Sequence, residues 1–292
     1  MHNFQTNYDK ILKVLNTIEP KSNFLHQIRK PKLTDKELIA INLTSEFMSI
    51  DSEYQLFRLL PEKLLAKIER SVYNRRRRRL FDAIELIREQ LSNFFNEFED
   101  CFIVDSMPLE VCKLSRSGRS RICKEQTYCT PDKGYCATQS TSYYGYKLHA
   151  VCSVKGVFKS LDISPASVHD IHYLKDIKTQ LNDCLLIGDK GYLSADIQLN
   201  LFDEYNIKLS TPMRKNQYNY KQQPYVFRKS RKRIETLFSQ LCDQFMIRRN
   251  YAKSFEGFKT RILSKITALT MIQYINKFVY HRNINNIKIK LS

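Results

Sequence analysis

Three acidic side chains, far apart along the chain, carry the chemistry that its residue types and spacing allow: Asp105, Asp189 and Glu235. Asp189 lies in Cys184-Leu-Leu-Ile-Gly-Asp-Lys-Gly-Tyr192, where Leu185, Leu186 and Ile187 form a short apolar run, the mark of a strand buried on both faces. Gly188 lets the backbone turn and Asp189 follows at once, just past the end of a central strand, where open α/β sheets bind ligands. Phe102-Ile103-Val104-Asp105 repeats that plan, an apolar run ending in an acid. Glu235 lies in the helical segment Arg228–Phe245, whose Ile234, Leu237, Phe238, Leu241 and Phe245 share one face. At about 100° per residue Glu235 falls at the margin of that face, beside Arg231 four residues earlier. Each acid alone reads as a turn, cap or solvated helix residue. Three carboxylates gathered at strand ends would repel one another unless cations neutralise them. Such oxygen ligands suit Mg²⁺ or Mn²⁺. Two of these ions ~3.5–4 Å apart can activate a water or a 3′-hydroxyl and stabilise the departing oxygen of an in-line phosphoryl displacement.

The elements around these acids follow from pattern. Residues 1–100 read as all-helical. Asn3–Ile18 is loosely amphipathic, and Thr34 and Glu37 form a capping box preceded by Leu33 as staple. Asn74 precedes Arg75, Arg76, Arg77, Arg78 and Arg79, after which Leu80, Ile84, Ile87, Leu91, Phe94, Phe95 and Phe98 make a helical stripe. The arginines are therefore expected in that helix's first turns, where cations oppose the macrodipole by ~0.3–1 kcal/mol each. A DNA phosphate or a solvated basic face would both answer this. From Cys101 the order is strand, strand, strand, helix, strand, helix, strand, helix, the succession of the ribonuclease H-like fold, an α/β mixed sheet flanked by helices. Residues 112–142, with Ser115-Arg-Ser-Gly-Arg-Ser-Arg121, read as an exposed basic loop. Lys155-Gly156 marks a hairpin turn, Ala195–Tyr205 a helix and Ile207–Ser210 the last strand. His149 is expected in or beside a strand with its ring hydrogen-bonded, His169 and Asp170 at the start of a helix, and Tyr192 in packing. The expected plan is an all-helical region over 1–100, an α/β domain over 101–250 and a basic helical tail over 251–292.

Composition narrows the partners. The net charge is +18, and from Asn206 onward 19 Lys and Arg face three acids, Glu235, Asp243 and Glu256. That asymmetry points to a polyanion, most simply nucleic acid. None of the eight cysteines forms a C-x-x-C pair, so a zinc site is poorly supported, although Cys123, Cys129 and Cys136 lie close in sequence. No run reaches membrane-span length and the N-terminus lacks the plan of a signal peptide, so a cytoplasmic, nucleoid-associated protein is expected.

Four stretches also carry a family resemblance: Val104-Asp-Ser-Met-Pro-Leu109, Tyr144-Gly-Tyr-Lys-Leu-His149, Gly188-Asp-Lys-Gly-Tyr192 and Arg231-Lys-Arg-Ile-Glu-Thr-Leu-Phe-Ser-Gln240. In this order they resemble the Asp-Asp-Glu (DDE) transposases of bacterial insertion sequences, most of all the insertion sequence 982 family. The resemblance spans nearly the whole chain, Asn74–Leu80 included. It implies cutting of double-stranded DNA at element ends, strand transfer into target DNA, and Asp105, Asp189 and Glu235 as catalytic metal ligands. It makes 1–100 a DNA-end-binding region and 101–250 the catalytic domain. Some related families have a Tyr three residues before the Arg of the last motif and a Lys seven after the Glu, where this chain has Arg228 and Cys242. Arg228, Arg231, Lys232 and Lys190 are the remaining candidates for phosphate contact. Pairing two DNA ends makes a homodimer the expected assembly. A non-catalytic DNA-binding derivative and a nuclease without strand transfer are the alternatives.

Overall fold

The structure is a computed structural model that describes residues 3–137, 139–218 and 220–288. Two compact units divide the chain, one of Met1–Phe94 with Gln240–Ser292 and one of Phe95–Ser239. In the first, Asn3 caps α1 (Phe4–Ile18) by accepting from the Gln5 N–H, and Phe4, Tyr8, Ile11 and Leu15 bury its packed face. The capping box is formed: at the start of α2 (Asp35–Phe47) the Thr34 hydroxyl accepts from the Glu37 N–H, and the Glu37 carboxylate accepts from the Thr34 N–H at 2.7 Å. Short helices α3 (Glu53–Leu59) and α4 (Glu62–Leu65) lead to α5 (Arg70–Arg79) and α6 (Phe81–Asn96).

The arginine run sits at the other end of a helix from the one expected. Arg76–Arg79 form the last turn of α5, and the chain breaks at Leu80 before α6 begins. There the cations complement the macrodipole instead of opposing it. Arg76 and Arg77 turn inward. Arg76 Nη2 donates to Asp35 at 2.5 Å and to the Leu33 carbonyl at 2.9 Å, and Arg77 Nη2 donates to Glu53 at 2.8 Å. Both are buried, which removes them as phosphate contacts, while Arg75, Arg78 and Arg79 remain exposed.

The second unit is built on one mixed sheet of β1 (Cys101–Cys112), β2 (Asp132–Cys136), β3 (Thr141–Ser153), β4 (Phe158–Pro165), β5 (Cys184–Ile187) and β6 (Ile207–Ser210). β3 pairs antiparallel with β1 on one side. Its other edge is shared, residues 141–145 pairing with β2 and 146–152 with β4. β5 runs parallel to β1, and β6 parallel to β5. Four strands in antiparallel pairing, β1 to β4, continued by the two parallel ones, β5 and β6, with α7 (Leu174–Ile177), α8 (Ala195–Tyr205) and α9 (Tyr225–Asp243) around them, form the expected ribonuclease H-like α/β sheet. Phe102, Val104, Leu174, Ile177, Leu186, Leu201 and Ile207 belong to one buried cluster of this unit. At the β3–β4 hairpin Gly156 has φ +91, and a Cβ there would lie 2.6 Å from the Arg233 side chain, so only glycine fits. Phe158 stacks on Phe238 nearby, which fixes α9 against β4.

Residues 112–142 are less loop-like than expected. They hold β2, two 3₁₀ turns (Leu114–Arg119 and Thr127–Cys129) and two buried thiols, Cys123 and Cys129. The Tyr146 hydroxyl donates to the Cys129 carbonyl at 2.6 Å and anchors this segment to β3. Asp132-Lys-Gly-Tyr-Cys136 carries no apolar alternation, so nothing local announced a strand; pairing with β3 makes it one.

The C-terminal segment also departs from the expected tail. α10 (Phe255–Tyr274) is buried along nearly all of its length from Phe258 to Gln273 and belongs to the first unit. It packs against α2, where Asn42 Nδ2 donates to the Ser264 hydroxyl at 2.7 Å. Lys265 Nζ donates to Glu46 at 2.5 Å and to the Phe245 carbonyl at 2.6 Å, with Arg261 3.9 Å from the same carboxylate. Among the described residues no helix is long and apolar enough to cross a membrane.

Candidate active site

The parallel register of β1 and β5 brings two of the three acids together. Cys101, Phe102 and Ile103 pair with Leu185, Leu186 and Ile187. The pairing stops there, two residues short of each acid, and Asp105 and Asp189 lie near enough for the charge of one to act on the other. Gly188 permits the approach: a Cβ there would come within 3.3 Å of Val104 Cγ1. Asp189 caps the 3₁₀ turn Lys190–Tyr192, its Oδ1 accepting from the Gly191 N–H at 3.0 Å. Its Oδ2 faces Arg231 Nη2 of α9 at 3.5 Å. Asp105 is half-buried on β1, with Oδ1 accepting from the Ser106 N–H at 2.8 Å. Burial pushes its carboxyl up to about 7; the Ser106 N–H and Arg231 oppose that, and the like charges of Asp189 and Asp170 add to it. The one cation acting on this carboxylate among the described residues, Arg231, is shared with Asp189.

Asp170 is the acid that the sequence reading passed over. It opens a 3₁₀ turn capped by His169, so the expectation of a helix start is met, but only for one turn before α7. Lys147 Nζ donates to Asp170 Oδ1 at 3.0 Å and to the Val168 carbonyl at 2.9 Å. Asp170 Oδ2 lies 3.5 Å from where a Cβ on Gly191 would be, against the peptide that holds Asp189. His149, in β3, pairs its Nε2 with the Ser164 hydroxyl at 2.8 Å and stacks on Tyr173 with centroids 5.1 Å apart. Burial pulls its ring down to about 4, Asp170 opposing and Lys147 assisting. Tyr192 is packed as expected, and burial raises its hydroxyl well above the usual value. The only early signal for Asp170 was a polar His-Asp pair soon after the last antiparallel strand, which is also what a cap looks like.

Glu235 is placed differently. It is exposed on α9, one turn from Arg231, and makes no ion pair among the described residues. The ~40° between them around the helix puts both on the same margin. Among the described residues no group of three His, Cys, Asp or Glu stands close enough to hold a metal ion. What the structure gathers is Asp105, Asp189 and Arg231, with Asp170 beside them. Lys190, Arg228 and Lys232 are exposed, and the Arg228 guanidinium lies 5.9 Å from the centre of the Tyr225 ring.

Comparison with known proteins identifies a family. The transposase DDE domain family matches residues 96–271, from the last turn of α6 through most of α10. No curated protein matches the chain. Among solved structures, the Mos1 transposase paired-end complex with left transposon end is similar over 86% of this chain and 85% of that one, at 11% identity and a TM-score of 0.23, too distant to carry an argument. The family match covers more than half of the chain and contains β1, β5 and α9 entire, so the chain belongs to the transposase DDE domain family.

Proposed function

We propose that this chain is the transposase of a bacterial insertion sequence, like those of the insertion sequence 982 family, and that it cuts double-stranded DNA at the element's ends and joins the freed strand to target DNA. One observation supports the reading: Asp105, inside β1, and Asp189, just past the end of the parallel strand β5, interact within a family-matched domain, and Arg231 of α9 reaches Asp189. The residues fit a hard divalent ion. Asp105 is a half-buried carboxylate short of positive charge, and Asp189 presents oxygen beside it. Asp105 and Asp189 would hold Mg²⁺ or Mn²⁺, one or two ions, with Glu235 as the third carboxylate delivered by α9. An ion held by these carboxylates would supply Lewis-acid activation of a water or 3′-hydroxyl.

The chain's own groups do the remaining work. The Gly191 N–H and Arg231 fix the two oxygens of Asp189, so that carboxylate meets the substrate in one orientation. Lys190, Arg228 and Lys232, all exposed, meet the phosphates on either side of the scissile bond. Arg75, Arg78 and Arg79 offer a second phosphate contact for an end-binding region in the helical unit. Two DNA ends call for a homodimer, and the substrate for a cytoplasmic, nucleoid-associated location. The test is cleavage of the element's terminal-repeat DNA with Mg²⁺. Asp189→Asn should cut about 10⁴-fold more slowly, as expected when several kcal/mol of transition-state charge stabilisation is lost. Undiminished cutting would sink the assignment, and joined products distinguish transposition from cutting alone.

A further inference from the structure

From Tyr205 to Ile234, the stretch linking α8 to the catalytic part of α9, the chain carries nine Lys and Arg and not one acid. Among the described residues only Arg231 of these nine meets a carboxylate. The same stretch leaves large rings in water: Tyr218 is 92% exposed, Tyr225 69% and Tyr220 44%. Next to Tyr218 in the chain, Gln217 lines a cavity of about 440 Å³ together with Arg214, Asn216, Gln198 and Ser194. Gln217 is held in place there, its Oε1 accepting from the Arg214 N–H at 2.7 Å, so its –NH₂ remains a donor. The lining thus offers one cation, three amides and no acid. Ser194 follows Asp189 by five residues, so at most ~18 Å separates their Cα atoms.

We propose that this cavity and the exposed tyrosines of the same stretch hold unpaired nucleotides of the DNA strand that enters the Asp105–Asp189 site. The inference rests on the proposed function and adds the form of DNA that the site takes. The three amides suit the donors and acceptors of a base edge, and Arg214 suits the phosphate beside it. Exposed rings interleaved with cations make a stacking platform, and bases offer their faces to such rings only when they leave the duplex. A base-paired duplex would satisfy the nine cations but leave the tyrosines and the amide-lined cavity without partners. An acidic peptide would use the cations and, again, not the amides.

The full chain should be titrated with a blunt duplex and with the same duplex bearing a short unpaired flank that contains 2-aminopurine. The flanked duplex should bind roughly tenfold more tightly, and 2-aminopurine fluorescence should be quenched on binding as the base stacks. Tyr218→Leu with Tyr225→Leu should abolish both the preference and the quenching while blunt-duplex affinity stays. Tyr218→Phe with Tyr225→Phe should keep both, which separates loss of rings from loss of fold. Equal affinity for the two DNAs, absence of quenching, or a preference untouched in the leucine variant would overturn the proposal, as would competition by polyglutamate as effective as by single-stranded DNA. The Asp189→Asn protein should still prefer the flank. A protein that prefers it but never cuts contradicts the proposed function alone, and one that cuts without the preference contradicts this inference alone.

Discussion

Glu46 in the helical unit and Asp105 in the sheet unit are both carboxylates drawn out of bulk water, and they are treated in opposite ways. Glu46 is almost wholly buried and fully compensated: Lys265 reaches one oxygen at 2.5 Å and Arg261 stands 3.9 Å from the other. Asp105 has Arg231 as its cation, which is shared with Asp189, and two further carboxylates add the wrong sign. A carboxylate that serves the fold brings its own counter-charge. One that serves chemistry is left short of it, so that something from outside can complete it. The contrast breaks cleanly under substitution. Lys265→Met leaves Glu46 buried with only the more distant Arg261 and should cost about 3 kcal/mol of stability, the low end of the usual penalty for removing half of a buried pair. Adding Glu46→Leu should restore most of it. Asp105→Asn, which removes an uncompensated charge, should leave the denaturation midpoint unchanged or higher. A large loss of stability in Asp105→Asn would mean that Asp105 is structural after all.

A second substitution sharpens the contrast within the sheet unit. Beside the acids the fold buries a neutral base, His149, whose ring faces Tyr173, Ser164, Asp170 and Lys147. Its folded value near 4 lies below the ~6.5 of an unfolded chain. Between those values the unfolded chain takes up a proton that the folded one refuses. The stability tied to this group is complete above pH 6.5 and falls as the pH drops toward 4, by ~3 kcal/mol in all. Chemical denaturation across pH 4–7 should show that slope in the parent protein and a shallower one in His149→Gln, which keeps a polar partner for Ser164. Equal slopes would assign the acid sensitivity elsewhere.

How far the sequence revealed these features depended on how local their causes are. The Thr34–Glu37 box, α8 and β6 follow from neighbours a few residues apart, and they appear where read. Asp105 and Asp189 could be placed because an apolar run ending in an acid is itself a local sign of a strand end, although β1 runs on to Cys112 because β3 continues to pair with it. β2, the Lys147–Asp170 contact and the return of α10 to the N-terminal helices rest on pairings across many residues that no window of sequence contains. Glu235 lies between the two cases: its helix and its margin were legible, but the position of its carboxylate relative to the other two is a matter of tertiary structure.

The arginine run tests the same contrast inside one helix, since five identical side chains divide by direction alone. Arg76 and Arg77 resemble Lys265, each held to a carboxylate inside the fold. Arg75, Arg78 and Arg79 are exposed and form no ion pair among the described residues. Replacing these three with Gln should change stability by no more than ~0.5 kcal/mol, as for most surface substitutions. If they meet phosphate, the slope of log binding constant against log salt should fall by ~0.9 for each contact removed. Arg77→Gln should reverse the pattern, weakening the fold and sparing the slope, because its guanidinium is already committed to Glu53. Equal salt slopes in the triple variant and the parent would leave the exposed arginines as a solvated face, and the end-binding role would have to move to the basic stretch of the sheet unit.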